Sequence, residues 1–342
     1  VSVARAVRVG DLSVRLHPRA ATVVVGGLVV CLALGAVSLM TGSTPLGIGD
    51  LLDVVTGDAE PRVASIVGRI RMPRYVAGVF VGAALAVSGA VFQSISRNAL
   101  GSPDIIGFVT GSATGAVVAI TVFEAPPPLV ALAAVVAGLL TAIVVLVLAR
   151  GARGSAGYRL ILVGVGVGAF LAAVNTTLLT RTEASVAMGA QVWLTGTLNA
   201  RSWDQALWAV GAVVVFVPVI VGLSRALEVT ESGDELAIGV GVRVQAARRV
   251  ALVCAVVLAA VATAVCGPIG FVALAAPHLA RALAGGAAVP ILTSAVTGSA
   301  LLVGADIAAQ NLPLGLRVPV ALMTGVLGGF YLIWLLSRNR RL

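Results

Sequence analysis

Apolar runs of about twenty residues recur along the chain, and the shorter polar runs between them carry most of the charge. Each run is long enough to cross a ~30 Å hydrocarbon core as an α-helix. The pattern predicts helices near residues 20–40, 75–94, 104–122, 129–149, 159–180, 205–223, 249–266, 268–283, 289–309 and 318–337. Ten crossings put both termini on the same side. The first run is read as an uncleaved helix rather than a secretory signal, because a polar lead precedes it and many spans follow.

Three polar connections are longer than a hairpin in a membrane needs. Residues 93–103 form an elbow carrying Arg97 and Asn98, and Ser102 followed by Pro103 is expected to cap and restart the next helix at once. Residues 41–74 mix Asp50, Asp53, Asp58 and Glu60 with four arginines, and residues 49–55 within them suit a short surface helix. Residues 224–249 are charged and rich in helix formers broken by glycines. Long ordered connections are more often functional than filler, with a solvated linker as the alternative for each.

Composition agrees with the pattern. Of 342 residues, 59% are hydrophobic and 11% charged, against about a quarter charged in soluble domains. Mean hydropathy is +1.08. Forty glycines suit close helix packing in lipid. The fold class is all-α: a polytopic membrane protein with no sizeable soluble domain. Residues 1–19 form an N-terminal segment, 20–337 the membrane domain and 338–342 a tail.

Charge gives the orientation. With the N-terminus inside, the inner segments hold 16 arginines and the outer segments 7, which favours cytoplasmic termini. This asymmetry accounts for the net charge of +9 without a nucleic-acid partner. All 23 basic residues are arginine. A phosphate-binding loop of the usual kind needs a lysine on the β/γ-phosphates, so any ATP-driven work requires a separate hydrolysing subunit.

Chemistry-bearing residues are sparse. Cys31, Cys254 and Cys266 lie inside apolar runs and are read as buried thiols, with no metal-binding spacing around them. His278 follows Pro277 without a catalytic partner and suits a packing role. Asp306, near the outer end of a span, is expected to snorkel to the interface or to make a helix-end hydrogen bond. The shortage of ionisable groups at mid-membrane argues against an ion-coupled secondary transporter, and the absence of a catalytic cluster argues against a membrane-embedded enzyme.

Three blocks in order resemble the FecCD-type permeases, the membrane subunits of type II ABC importers for iron–siderophore complexes, haem and cobalamin. They are RMPRYVAGVFVGAALAVSGAVFQSISRNALGSPDIIGFVTGSATGA, GDELAIGVGV and CGPIGFVALAAPHLARALAG. The resemblance runs from about residue 20 to the C-terminus. It implies a non-catalytic, multi-pass subunit of the bacterial cytoplasmic membrane that binds no cofactor. ATP is used by two partner subunits, a second permease completes the pathway, and an extracytoplasmic siderophore-binding protein delivers cargo. The resemblance gives Arg71 and Arg74 to binding-protein docking, although arginines also anchor helices at interfaces. It gives Asn98 and Leu100 to the inner gate, and Asp234, Glu235, Ala237 and Gly241 to a segment, about 224–249, that presses on the ATPase.

Departures from the family pattern narrow the expectation. Ala99 stands where a proline is common, Gln310 where many relatives have arginine, and Arg317-Val318 where Glu-Leu is usual. With the FVALAAP block they resemble the subgroup importing catecholate-type ferric siderophores. Cobalamin or haem import is the alternative within the family.

Overall fold

A computed structural model describes residues 5–9, 12–16, 18–42, 44–149, 156–285, 289–312 and 318–338. Fourteen helices occur among them: α1 (Pro18–Met40), α2 (Ile48–Thr56), α3 (Pro61–Ser65), α4 (Met72–Ser96), α5 (Phe108–Thr121), α6 (Pro127–Ala149), α7 (Ala156–Arg181), α8 (Ala184–Leu194), α9 (Trp203–Glu231), α10 (Asp234–Gly239), α11 (Val244–Cys266), α12 (Val272–Ala284), α13 (Ile291–Gln310) and α14 (Val320–Arg338). A π-helical stretch, Ile66–Arg71, joins α3 to α4. Each of the ten expected spans falls on one of these helices, and seven helices are long and apolar enough to cross a membrane by length and composition. The apolar helices α5, α8 and α12 are shorter. The N-terminal segment, read as a plain polar lead, holds a two-stranded antiparallel hairpin of β1 (Arg5–Val9) and β2 (Leu12–Leu16), with Val7 opposite Val14.

Burial separates a centre from a rim. In the most apolar windows of α4 and α11, 78% and 72% of residues are buried, against 17% in α1 and α7. Small residues make that centre possible. A Cβ on Gly82 of α4 would stand 2.5 Å from the Gly298 carbonyl oxygen of α13, and one on Gly298 would stand 2.4 Å from that of Gly82. The two backbones therefore touch, and Ser299 Oγ donates across the seam to the Val79 carbonyl at 2.7 Å. On another side of α4, a Cβ at Gly89 would lie 1.8 Å from the Ala273 oxygen of α12. Pro277 lies four residues beyond Ala273 and has no N–H to offer that carbonyl. Ser88 and Gln93 of α4 also donate to the carbonyls of Ala255 and Leu274. Without a strong hydrophobic drive between helices in lipid, such close packing and interhelical hydrogen bonds hold the bundle together.

Two connections differ from expectation. Residues 224–249 are not one long loop: α9 runs on to Glu231, α10 occupies six residues, and α11 begins at Val244. Charged residues mark where lipid ends, not where a helix ends. The elbow is longer than expected, because α5 starts at Phe108 and not at Pro103.

Candidate functional site

At one end of the bundle, Arg71 and Arg74 both turn toward the chain itself. Arg71 is buried, and its guanidinium donates to the carbonyls of Leu39, at 2.5 Å, and Thr44. It thereby ties the loop after α1 to the start of α4. Arg74 forms a two-pronged pair with Asp306 of α13, Nε to Oδ2 and Nη2 to Oδ1, both at 2.8 Å. Gln310 Nε2 adds a bond to Asp306 Oδ2 at 3.0 Å, and Arg74 Nη1 reaches Asn199 Oδ1 at 3.2 Å. Asp306 thus exceeds the helix-end role expected of it. The exposed arginines on the stretch before α4 are Arg62 and Arg69.

At the other end lies the elbow. α4 stops because Arg97 adopts a left-handed conformation, φ 49°, with its own N–H returned to the Ser94 carbonyl and the Asn98 N–H to the Gln93 carbonyl. Asn98 Oδ1 then accepts the Leu100 N–H at 2.9 Å, an Asx-type turn that orders the bend. Leu100 is 52% exposed. His278 Nε2 bonds the Ala99 carbonyl at 2.8 Å, so α12 braces the elbow at the position that lacks the usual proline.

The expected cap at Ser102 does not form. Ser102 is fully buried with its Oγ unpartnered, and the helix is capped five residues later at Gly107, φ 84°. Tertiary contacts override the local rule. A Cβ at Gly107 would lie 2.7 Å from the Gly164 oxygen of α7, and Asp104 Oδ2 faces the Phe271 N–H at 3.4 Å. Residues 103–107 are thus drawn between α7 and the start of α12 before the helix resumes.

The elbow connects to α10. Arg97 Nη2 donates to the Thr230 carbonyl at 2.5 Å and to Asp234 Oδ1, and Arg248 of α11 grips the same carboxylate with two bonds of 2.7 Å. The Arg248 hydrogen bonds, with the charges of Arg248 and Arg97, hold the Asp234 carboxyl below its usual range against a smaller opposing effect of burial. Asp234 is the first residue of α10, and Gly233 and Gly241, at φ 136° and 85°, turn the chain on either side. Ala237 is fully buried, whereas Glu235, Leu236, Ile238 and Val240 are exposed. A shallow groove of about 380 Å³ runs along the side of Asp234 and Ile238, flanked by Val242, Arg243 and Arg249. The result is a short helix with a small residue on its inner side and exposed apolar residues on the sides around it.

The four residues expected on the coupling segment therefore sit together, and Asp234 joins them to the elbow of Asn98 and Leu100. Arg71 and Arg74 occupy the opposite end and share no partner. Sequence reasoning missed Arg97 and Arg248 as partners of Asp234, and Asp306 as the partner of Arg74. The usable hint was Asp306 itself, an acid near the same end of its span as Arg74. Among the described residues, no three His, Cys, Asp or Glu side chains gather as a metal-binding group. Arg317 lies outside the described residues.

Comparison with known proteins adds identity to this geometry. The model of the FecCD transport family matches residues 29–338. The ferric enterobactin transport system permease protein FepG of Escherichia coli K12 is 39% identical over 311 residues, covering 91% of this chain and 94% of that protein. The hemin transport system permease protein HmuU of Yersinia pestis is 33% identical, covering 92% and 94%. The cobalamin import system permease protein BtuC of Halobacterium salinarum is 37% identical, covering 79% and 73%. A solved metal-chelate type ABC transporter in an inward-facing conformation shares the fold, with a TM-score of 0.84 and 24% identity over 93% of this chain and 99% of that one.

Proposed function

Because this chain belongs to the FecCD transport family, we propose that it is the permease subunit of an ATP-driven importer of ferric siderophores in a bacterial cytoplasmic membrane. The observation carrying this reading is the 39% identity to a ferric enterobactin permease over nearly the full length of both chains. Residues 20–337 form the membrane domain, between a cytoplasmic N-terminal segment and a cytoplasmic tail. Cargo arrives on an extracytoplasmic binding protein at the Arg71 end and passes between two permeases. ATP is hydrolysed by two separate subunits seated on the Arg97 end.

The geometry supports a division of labour. The exposed edge of α10, with Glu235 and Gly241, suits a cleft of the ATPase, while Ala237 and Asp234 fasten α10 to the bundle. Through Arg97, movement of α10 is passed to the elbow, where Asn98 and Leu100 stand at the inner end of the pathway. At the opposite end, Arg74 remains partly accessible and is available to the binding protein, while Arg71 shapes the loop beneath it. Charge pairs of this kind speed and orient docking more than they add affinity.

The test is uptake of radioactive iron, supplied as ferric enterobactin, by cells lacking the gene and complemented with it. Uptake is expected to return with the chain and to stop when ATP is depleted. Uptake that survives ATP depletion and collapses with an uncoupler identifies an ion-coupled transporter instead. Restored import of cobalamin or haemin without iron uptake moves the cargo to another branch of the family.

A further inference from the structure

The connection between α1 and α4 contains a helix that the transport reading leaves unused. α2 is short but closed at both ends. Asp50 Oδ2 accepts the Gly47 N–H at 2.7 Å, and Gly57, at φ 88°, returns its N–H to the Asp53 carbonyl. At about 100° per residue, Leu51, Val55, Ile48 and Leu52 fall on one side, with Gly49, Asp53 and Asp50 on the other. The protein does not cover the apolar side: Ile48, Leu52 and Val55 are 68%, 60% and 84% exposed. Three large aliphatic side chains on one face of a rigid helix mark an interaction surface.

The position of α2 identifies what covers that face. The preceding loop folds back on the end of α1: Leu46 is buried and donates its N–H to the Met40 carbonyl at 3.1 Å, while Arg71 gathers the carbonyls of Leu39 and Thr44. α2 therefore begins at the level where the first span ends. Below that level α1 exposes Val37 about one turn from its end and Leu32 and Val29 two to three turns from it, so the span itself presents apolar surface to lipid beneath α2. The opposite side of α2 and the residues that follow carry Asp53, Asp58 and Glu60, all exposed.

We propose that α2 lies along the bilayer surface at the Arg71 end, with Ile48, Leu52 and Val55 among the lipid chains and Asp50 and Asp53 toward water. Amphipathic helices of this kind settle about 5–10 Å into the boundary between headgroups and acyl chains. There α2 acts as an outrigger, fixing the height of the loop that Arg71 closes and so of the mouth beside it. The proposal needs only that the bundle spans a bilayer, and it does not depend on the cargo.

The test places a nitroxide at Leu52→Cys, Val55→Cys or Asp53→Cys in the intact chain, reconstituted in phosphatidylcholine–phosphatidylethanolamine vesicles. Cys31, Cys254 and Cys266 are buried, and the labelled parent chain serves as the blank. Collisions with oxygen, which concentrates in lipid, are compared with collisions with a water-soluble nickel chelate. The expected result is a depth of about 5–10 Å below the phosphates at Leu52 and Val55, with Asp53 in water. Equal access to the chelate at all three positions overturns the proposal. So does shielding of Leu52 and Val55 from both agents, which indicates a protein partner. Shielding that appears only when a binding protein is added also overturns it. A chain that shows the expected depth but fails to restore iron uptake refutes the transport reading and leaves this one standing.

Discussion

Replacing Asp306 by alanine leaves the Arg74 guanidinium facing the α4–α13 seam with no counter-charge. The Asp306 side chain is 5% exposed and that of Arg74 19%, and two 2.8 Å bonds join them. Removing one partner of such a pair costs about 3–5 kcal/mol, whereas replacing both with apolar groups of similar volume is often neutral. Arg74 keeps some access to solvent, so the lower end, about 3 kcal/mol, is the working value for the single change. The design is a double-mutant cycle of Asp306→Ala, Arg74→Met and both together, read as apparent unfolding temperature in detergent. Each single variant is expected to melt well below the parent, and the double variant to recover most of the loss. Additive losses across the cycle would refute the claim that the cost lies in an orphaned buried charge. An unperturbed Asp306→Ala single variant would do the same.

Three further outcomes follow from other contacts. Asp234 has a depressed carboxyl pKa, so its tie to Arg97 and Arg248 is fully present above the ordinary carboxylate value, about 3.9, and is lost as pH falls below that through the depressed value. Hydrogen exchange of α10 amides is therefore expected to be insensitive to this group near neutrality and to rise only in that acid window, and Asp234→Asn should remove the acid step. Gly89→Ala drives a methyl group into the Ala273 carbonyl and is expected to cost more than the ~1–3 kcal/mol of ordinary overpacking, seen as loss of folded, detergent-stable protein. Ser102→Ala is expected to be neutral or slightly stabilising in the same melt, because its hydroxyl is buried without a partner; a loss of about 1 kcal/mol would restore the helix-cap reading.

The spans were legible because lipid demands long apolar runs, and each expected run fell on a helix. Helix ends were less legible wherever hydropathy and backbone hydrogen bonding part company. α9 continues past Arg225, Glu228 and Glu231 because a helix is not obliged to stop at the water boundary. α8 lies in a connection read as a plain outer segment, and its eleven residues are too few to announce a crossing. Ser102 obeys every local rule for a cap and is overruled by Gly107 against α7 and by Asp104 against Phe271. The coupling block and the elbow were each visible as motifs. Their union through Arg97 and Asp234 joins residues far apart in the chain, and nothing in a single sequence pairs them. Arg74 and Asp306 are hidden for the same reason.

Where Gly82 of α4 meets Gly298 of α13, backbone rests on backbone with no side chain between. A junction of this kind has no rotamers to repack and little slack to shear, so these two helices travel as one piece. The rim is less deeply packed, since α1 and α7 bury few of their residues. For anyone following the transport cycle by distance measurements, α4 and α13 supply the fixed origin. A probe on α13 paired with one on α7 reads the displacement of the rim, and a pair spanning α4 and α13 should read zero throughout.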